Sequence, residues 1–196
     1  MTRFLLGSEL NERRNKKRLD VAFIIGSKTD LPTVEESKMF EVWDLCGISW
    51  NLDIISADRN PGTLKDRCDQ LIKDGVKVFV VAAGMAARLP GTVAAHAKYL
   101  LPIIGVALPS DEFHDALDST LSITRPPAGC PVIFAGISKA GLRNAAIIVV
   151  QILANGEDEK SRNIKEKLVT YFLNSRKEPQ LSYKKSQMKG GNPKNG

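Results

Sequence analysis

Between residues 56 and 61 the chain reads SADRNP, and three of its side chains can do chemistry. Ser56 both donates and accepts, Asp58 can hold or deliver a proton, and Arg59 suits a bidentate bond to a phosphate. A plain polar turn, with Asp58 bonded to its own backbone and Arg59 solvated, would use the same residues. Two other stretches are comparably rich. In GSKTD (26–30), Gly26 allows close backbone approach, Ser27 and Thr29 can donate to an anion, and Asp30 can accept from a sugar hydroxyl. A strand-to-helix turn with Asp30 as N-cap needs those types too. In AAGMAARLPG (82–91), small residues including Ala83 and Gly84 let a ligand reach main-chain N–H groups, as tight helix–sheet packing also would require. Neither the dinucleotide fingerprint G-x-G-x-x-G nor the phosphate loop G-x-x-x-x-G-K-[ST] accounts for these loops.

These loops need a frame, and the hydrophobic pattern supplies one. VAFII (21–25), WNLDII (50–55), VKVFVVAA (76–83), PIIGVAL (102–108) and PVIFAGI (131–137) read as five strands, several with the continuous apolar run of a strand buried on both faces. Helices are expected between them. The first opens at Pro32 and runs to about Cys46, the second runs from Pro61 to near Gly75, and a short one lies within LPGTVAAHAKYL. Another is expected over 111–122 and one around AGLRNAAIIVVQILA. Alternating strands and helices with short links specify a parallel sheet covered on both sides, a three-layer doubly wound α/β domain of the flavodoxin-like class. The expected organisation is a basic arm (1–20), an α/β domain (21–156), a C-terminal helix (157–176) and a disordered basic tail (177–196). In that helix Ile164, Leu168 and Phe172 form one apolar stripe, for a core or for a neighbouring subunit. In an open parallel sheet ligands bind beyond the carboxyl ends of the strands, where all three polar loops fall.

Composition narrows the function class. The 196 residues suffice for one sizeable domain, and no apolar run approaches a membrane span. The N-terminus lacks the pattern of a signal peptide, so a cytoplasmic protein is expected. Cys46, Cys68 and Cys130 are odd in number and form no C-x-x-C pair, which argues against a disulfide framework and a zinc site. With His96 and His114 the only histidines, a multi-histidine metal site is not expected. His96 can be a relocated acid–base group or a surface histidine, and Cys130 reads as packing. The net charge of +6 resides at the ends: residues 1–20 carry six basic and three acidic side chains, and 177–196 carry five and one. The body retains 17 basic against 18 acidic, so the tails serve solubility or weak contact with RNA or polyphosphate, and no specific nucleic-acid partner is expected.

Together the segments resemble the PurE family, the aminoimidazole ribonucleotide carboxylases and N-carboxyaminoimidazole ribonucleotide mutases of purine biosynthesis. The family's G-S-x-S-D is similar to GSKTD, its S-A-H-R-x-P to SADRNP, and its G-A-G-G-A-A-H-L-P-G to AAGMAARLPG. LDSTLSITRPPAGCPV (117–132) and AGLRNAAIIVVQIL (140–153) match two further motifs in order. The resemblance implies a small-molecule ribonucleotide substrate, no metal, no organic cofactor, no membrane, and a homo-octamer with sites shared between subunits. By position, Ser27, Asp30 and Arg59 would hold the ribose phosphate. Gly26, Thr29, Ser56, Ala83, Gly84, Met85, Arg88 and Leu89 would line the rest of the substrate pocket. Two departures stand out: Asp58 replaces the proton-carrying histidine of S-A-H-R, and Arg88 and Met85 replace a histidine and a glycine of the third motif. Residues 94–101 carry a short insertion.

A free aspartate has a pKa of about 3.9, against about 6.5 for histidine. As a base Asp58 is ready at neutral pH; as an acid it must be protonated by burial or by a neighbouring negative charge. The carboxylated nucleotide brings such charges, while Arg59 opposes protonation. The leading expectation is a decarboxylase of carboxyaminoimidazole ribonucleotide with Asp58 as proton donor. The alternatives are mutase or carboxylase activity with Asp58 in the histidine's place, and a catalytically silent nucleotide-binding relative.

Overall fold

A computed structural model of the chain describes residues 19–110 and 115–175. Five parallel strands, β1 (Val21–Ile25), β2 (Trp50–Ile54), β3 (Val78–Ala83), β4 (Ile103–Ala107) and β5 (Ile133–Ile137), form one sheet in the order β2-β1-β3-β4-β5. Among the described residues seven α-helices cover it: α1 (Leu31–Glu36), α2 (Met39–Cys46), α3 (Pro61–Lys73), α4 (Arg88–His96), α5 (Leu117–Thr124), α6 (Ser138–Leu153) and α7 (Glu159–Ser175). The doubly wound α/β expectation is met. The chain leaves β1 toward β2, then returns to place β3 on β1's other side. With right-handed crossovers that reversal puts the crossover helices before it and those after it on opposite faces. Accordingly α1, α2, α6 and α7 pack on one face, and α3, α4 and α5 on the other.

Alternation along the strands feeds both cores. Val21, Phe23 and Ile25 face the first, Ala22 and Ile24 the second; Val78, Val80 and Ala82 oppose Phe79, Val81 and Ala83 in the same way. Trp43 is fully buried, edge-on to Phe23 at 6.2 Å, with its Nε1 donating to Ala146 O at 3.2 Å. Phe40 stacks on Trp50 at 4.1 Å, and such aromatic pairs add about 0.5–1.5 kcal/mol each beyond their buried area. Ile164 enters the first core, and Leu168 and Tyr171 pack beside it; Phe172, expected on the same stripe, instead meets the Tyr171 ring edge-on at 5.5 Å, and Val169 and Leu173 are left exposed.

Four expectations need correction. The helix from Pro32 to Cys46 is two helices, α1 and α2. Ser37 breaks it: its hydroxyl donates to Val34 O at 2.6 Å and accepts the Met39 N–H at 3.2 Å, and Lys38 takes a left-handed φ of 59°. The helix expected over 111–122 begins only at Leu117, after Ala116 at φ 60° and an Asp115 carboxylate that accepts the Leu117 N–H; residues 111–114, with His114, lie outside the described residues. The fifth strand is not regular: its pairing with β4 slips between Gly105 and Val106, next to Gly136 at φ 122°. The cause is close packing, since a Cβ on Gly141 would lie 2.4 Å from the Gly136 carbonyl carbon. Cys130, expected as packing, is partly exposed and donates from Sγ to Tyr99 Oη at 3.3 Å.

Candidate active site

The three polar loops leave the carboxyl ends of β2, β1 and β3, which are neighbours in the sheet, so they share one rim. This rim includes the switch point between β1 and β3, where flavodoxin-like sheets open a crevice.

The β1 loop is held by its own polar groups. Ser27 caps the turn Lys28–Asp30: its Oγ accepts from the Thr29 N–H at 3.3 Å and the Thr29 hydroxyl at 2.8 Å, and its N–H donates to Asp30 Oδ2 at 3.1 Å. This is a reciprocal capping box. Burial pushes the Asp30 carboxyl up from its ordinary pKa, and the Ser27 N–H bond only partly offsets this. The N-cap of this turn is thus Ser27 and not Asp30, which supports the cap as its third residue and makes no side-chain capping bond at the start of α1.

The β2 loop crosses to the β1 loop through Arg59. Its Nη2 donates to Gly26 O at 3.2 Å, while its own N–H donates to Ser56 Oγ at 3.2 Å. One edge of the guanidinium is thus anchored and the side chain is aimed along the rim beside Ser27. Asn60 precedes Pro61, whose fixed φ opens α3.

The β3 loop is tight. A Cβ on Gly84 would sit 3.1 Å from Pro109 O and 3.2 Å from Leu108 O, so any side chain here would press the backbone at the end of β4 outward by a few tenths of an ångström. The Leu108–Pro109 backbone is therefore part of the rim. Sequence reading passed over it; its one signal was Pro109 directly after a buried strand. Met85 and Ala87 adopt left-handed φ values of 53° and 38°. Ala83 and Leu89 are buried, and Leu89 Cδ2 approaches to 4.0 Å of a Cβ built on Gly26, closing the floor between the β1 and β3 loops. Met85, by contrast, is 62% exposed, an apolar side chain at a conformation that disfavours one. Met85→Gly is expected to raise stability by about 1 kcal/mol in urea unfolding; a lower midpoint would mean the side chain makes contacts that outweigh the strain.

Arg88, the first residue of α4, closes the arrangement. Its Nε lies 2.9 Å from Asp58 Oδ1, joining the β2 and β3 loops across the rim. The bond to the Asp58 carboxylate pushes the Arg88 pKa further up, so the guanidinium stays charged. Both side chains are more than half exposed, 65% for Arg88 and 58% for Asp58. Sequence reading found both residues but not their pairing, because 30 positions separate them and only the sheet order makes them neighbours. His96 sits at the far end of α4 from Arg88, half-buried with its Nε2 turned inward, and does not reach this rim as a relocated proton carrier.

Comparison with known proteins agrees with this architecture. The family model described as AIR carboxylase matches residues 20–177. An N5-carboxyaminoimidazole ribonucleotide mutase of Haemophilus influenzae is 36% identical over 142 residues, covering 72% of this chain and 84% of the relative. Its counterparts from Escherichia coli and Pyrococcus abyssi are 34% and 38% identical, covering 80% and 77% of this chain and 89% and 80% of their own. Among solved structures, PurE of Treponema denticola superposes with a TM-score of 0.64 at 22% identity, over 79% of this chain and 89% of the other, a likeness of fold.

Proposed function

Since the chain belongs to the AIR carboxylase family and is an enzyme of the PurE type, lyase or isomerase, we propose that it decarboxylates carboxyaminoimidazole ribonucleotide, with Asp58 as the proton donor. The observation that carries this reading is the position of Asp58. It stands on the β2 loop where the family's S-A-H-R motif has histidine, more than half exposed at the shared rim and 2.9 Å from Arg88 at the end of the β3 loop.

The chemistry balances with one proton. The Asp58 carboxyl gives its proton to carbon 4 of the imidazole, forming the C–H bond. The bond from carbon 4 to the carboxylate then breaks, its electron pair returns to the ring, and carbon dioxide leaves. Asp58 is left as carboxylate and is reprotonated from water. Ser27 and Arg59 hold the phosphate and Asp30 accepts from the sugar hydroxyl of the ribose phosphate; Ser56, Gly26, Thr29 and the Ala83–Gly84 backbone line the rest of the pocket, with Met85, Arg88 and Leu89 at its mouth and floor. A mutase must keep carbon dioxide between two half-reactions, whereas a decarboxylase releases it. The exposed Met85 and the exposed Arg88 at the mouth favour release.

One observation favours a second reading: relatives 34–38% identical to this chain are named N5-carboxyaminoimidazole ribonucleotide mutases. The two are separated by incubating the protein with each carboxylated nucleotide and following carbon dioxide and imidazole absorbance. Net release from the C4-carboxylated nucleotide supports the decarboxylase; interconversion of the two carboxylated nucleotides without loss of carbon dioxide identifies the mutase. With either reaction we infer a cytoplasmic homo-octamer. Exposed Leu117, Leu121, Ile133 and Ile137 on α5 and the β5 edge support self-association, which light scattering on the purified protein tests.

Arg59→Lys gives a further test of phosphate binding. Lysine keeps the charge but loses the planar fork, so KM is expected to rise about tenfold to thirtyfold with kcat little changed. A fall in kcat with KM unchanged would move Arg59 from holding the phosphate to assisting the chemistry.

A further inference from the structure

We propose that Arg88 distinguishes the carboxylated nucleotide from the decarboxylated one by trading its ion pair with Asp58 for one with the substrate carboxylate. The inference rests on the nucleotide reading above and deepens it. It starts from an obstacle: the proposed proton donor is ion-paired with a guanidinium 2.9 Å away, and a carboxylate in an ion pair is an acceptor with no proton to give.

The exposure of the pair removes the obstacle. Both side chains are more than half in water, where an ion pair contributes little, so the pair opens at little cost. Arg88 is the first residue of a nine-residue helix, so its backbone stays fixed while its side chain swings. A carboxylate on carbon 4 entering between the β2 and β3 loops meets Arg88, whose guanidinium is held by the exposed pair with Asp58, while Arg59 is anchored on Gly26 O and serves the phosphate. Once Arg88 turns to the substrate, Asp58 loses its cation and gains a negative neighbour. The other charged side chains of the flanking loops, among the described residues, are Arg59 of its own loop and, on the β1 loop, Lys28 and Asp30, the latter bonded to the Ser27 N–H. The Asp58 carboxyl then takes up a proton from water and becomes able to donate it. Substrate lacking the carboxylate leaves the pair closed and Asp58 ionised. The two departures from the family motifs thus work as one device: the arginine reads the group to be removed and, in reading it, arms the acid.

The test uses two unreactive probes, imidazole ribonucleotides with and without a 4-carboxylate. Both lack the 5-amino group whose lone pair drives the reaction, so neither turns over. Titration calorimetry is run on the full-length wild type, Arg88→Gln and Arg88→Lys in two buffers of different ionisation enthalpy. Wild type is expected to prefer the carboxylated probe by about tenfold to a hundredfold, with proton uptake for that probe alone. Arg88→Gln is expected to lose the preference and the proton uptake while binding the uncarboxylated probe as wild type does; Arg88→Lys recovers part of the preference. If Arg88→Gln weakens both probes equally, or keeps the preference, Arg88 does not read the carboxylate and the proposal falls, with the nucleotide reading intact. If wild type binds neither probe, the nucleotide reading falls and takes the proposal with it.

Discussion

Asp58→Asn is expected to slow carbon dioxide release by about two to four orders of magnitude, the usual contribution of a positioned general acid. Asparagine matches the carboxyl in size, accepts at the same place and can still bond Arg88, so pocket shape and nucleotide affinity should stay close to wild type. What it cannot do is give up a proton to carbon 4. The loss should therefore sit in kcat, with KM near the wild-type value, and calorimetry should show nucleotide binding intact. Equal turnover in the variant would remove Asp58 from the mechanism. Arg88→Gln makes a useful contrast: it leaves the acid in place and should raise KM for the carboxylated nucleotide first.

The largest stability effect outside the apolar core should come from Asp20→Ala, at about 3 kcal/mol in chemical unfolding. Asp20 is 2% exposed and stands just ahead of β1. Its Oδ2 accepts from the Ser49 N–H at 3.0 Å and the Ser49 hydroxyl at 2.7 Å, and its two oxygens take Lys160 Nζ at 2.6 and 2.8 Å. Its backbone carbonyl accepts from Lys77 and Val78. One residue thus ties the amino ends of three strands to the first turn of α7. Removing one partner of a buried pair costs about 3–5 kcal/mol when the other charge is stranded; Lys160 is half exposed and can rehydrate, which places the estimate at the low end. Burial pushes the Asp20 pKa up, but the Lys160 ammonium and the two Ser49 donors outweigh it and hold the carboxyl below its ordinary 3.8. The native-state pKa is the lower one. The contribution is therefore present above the ordinary value and is lost as pH falls through the native one. Wild type and Asp20→Ala should differ from neutral pH down to about pH 4 and converge below it. A gap that persists unchanged well below pH 4 would assign the loss to packing instead.

Much of this was legible in the residues. Short β-branched runs bounded by Gly and Pro mark strands buried on both faces, and VAFII at Val21–Ile25 was placed to the residue. Periodicity of that kind is local, so the chain declares it without its partners. The α/β class followed from the alternation, and the position of the polar loops at one rim followed from the class. Local pattern was weakest where a side chain competes with the backbone: Ser37 ends α1 through two short-range hydrogen bonds that a hydrophobic pattern cannot report.

Strand order, and everything that depends on it, was decided by tertiary structure. SADRNP and AAGMAARLPG each proclaim their residues, but nothing in either says that Asp58 and Arg88 meet at 2.9 Å. That contact exists because β2 and β3 flank β1, a choice made by burying two apolar faces at once rather than by any local preference. The same holds for Gly84 against Pro109, Gly141 against Gly136, and Asp20 against Lys160, pairs whose members lie far apart in sequence or whose closeness depends on how a helix seats on the sheet. Residue types set which chemistry was available at the rim; the packing of the sheet set which charges face one another there.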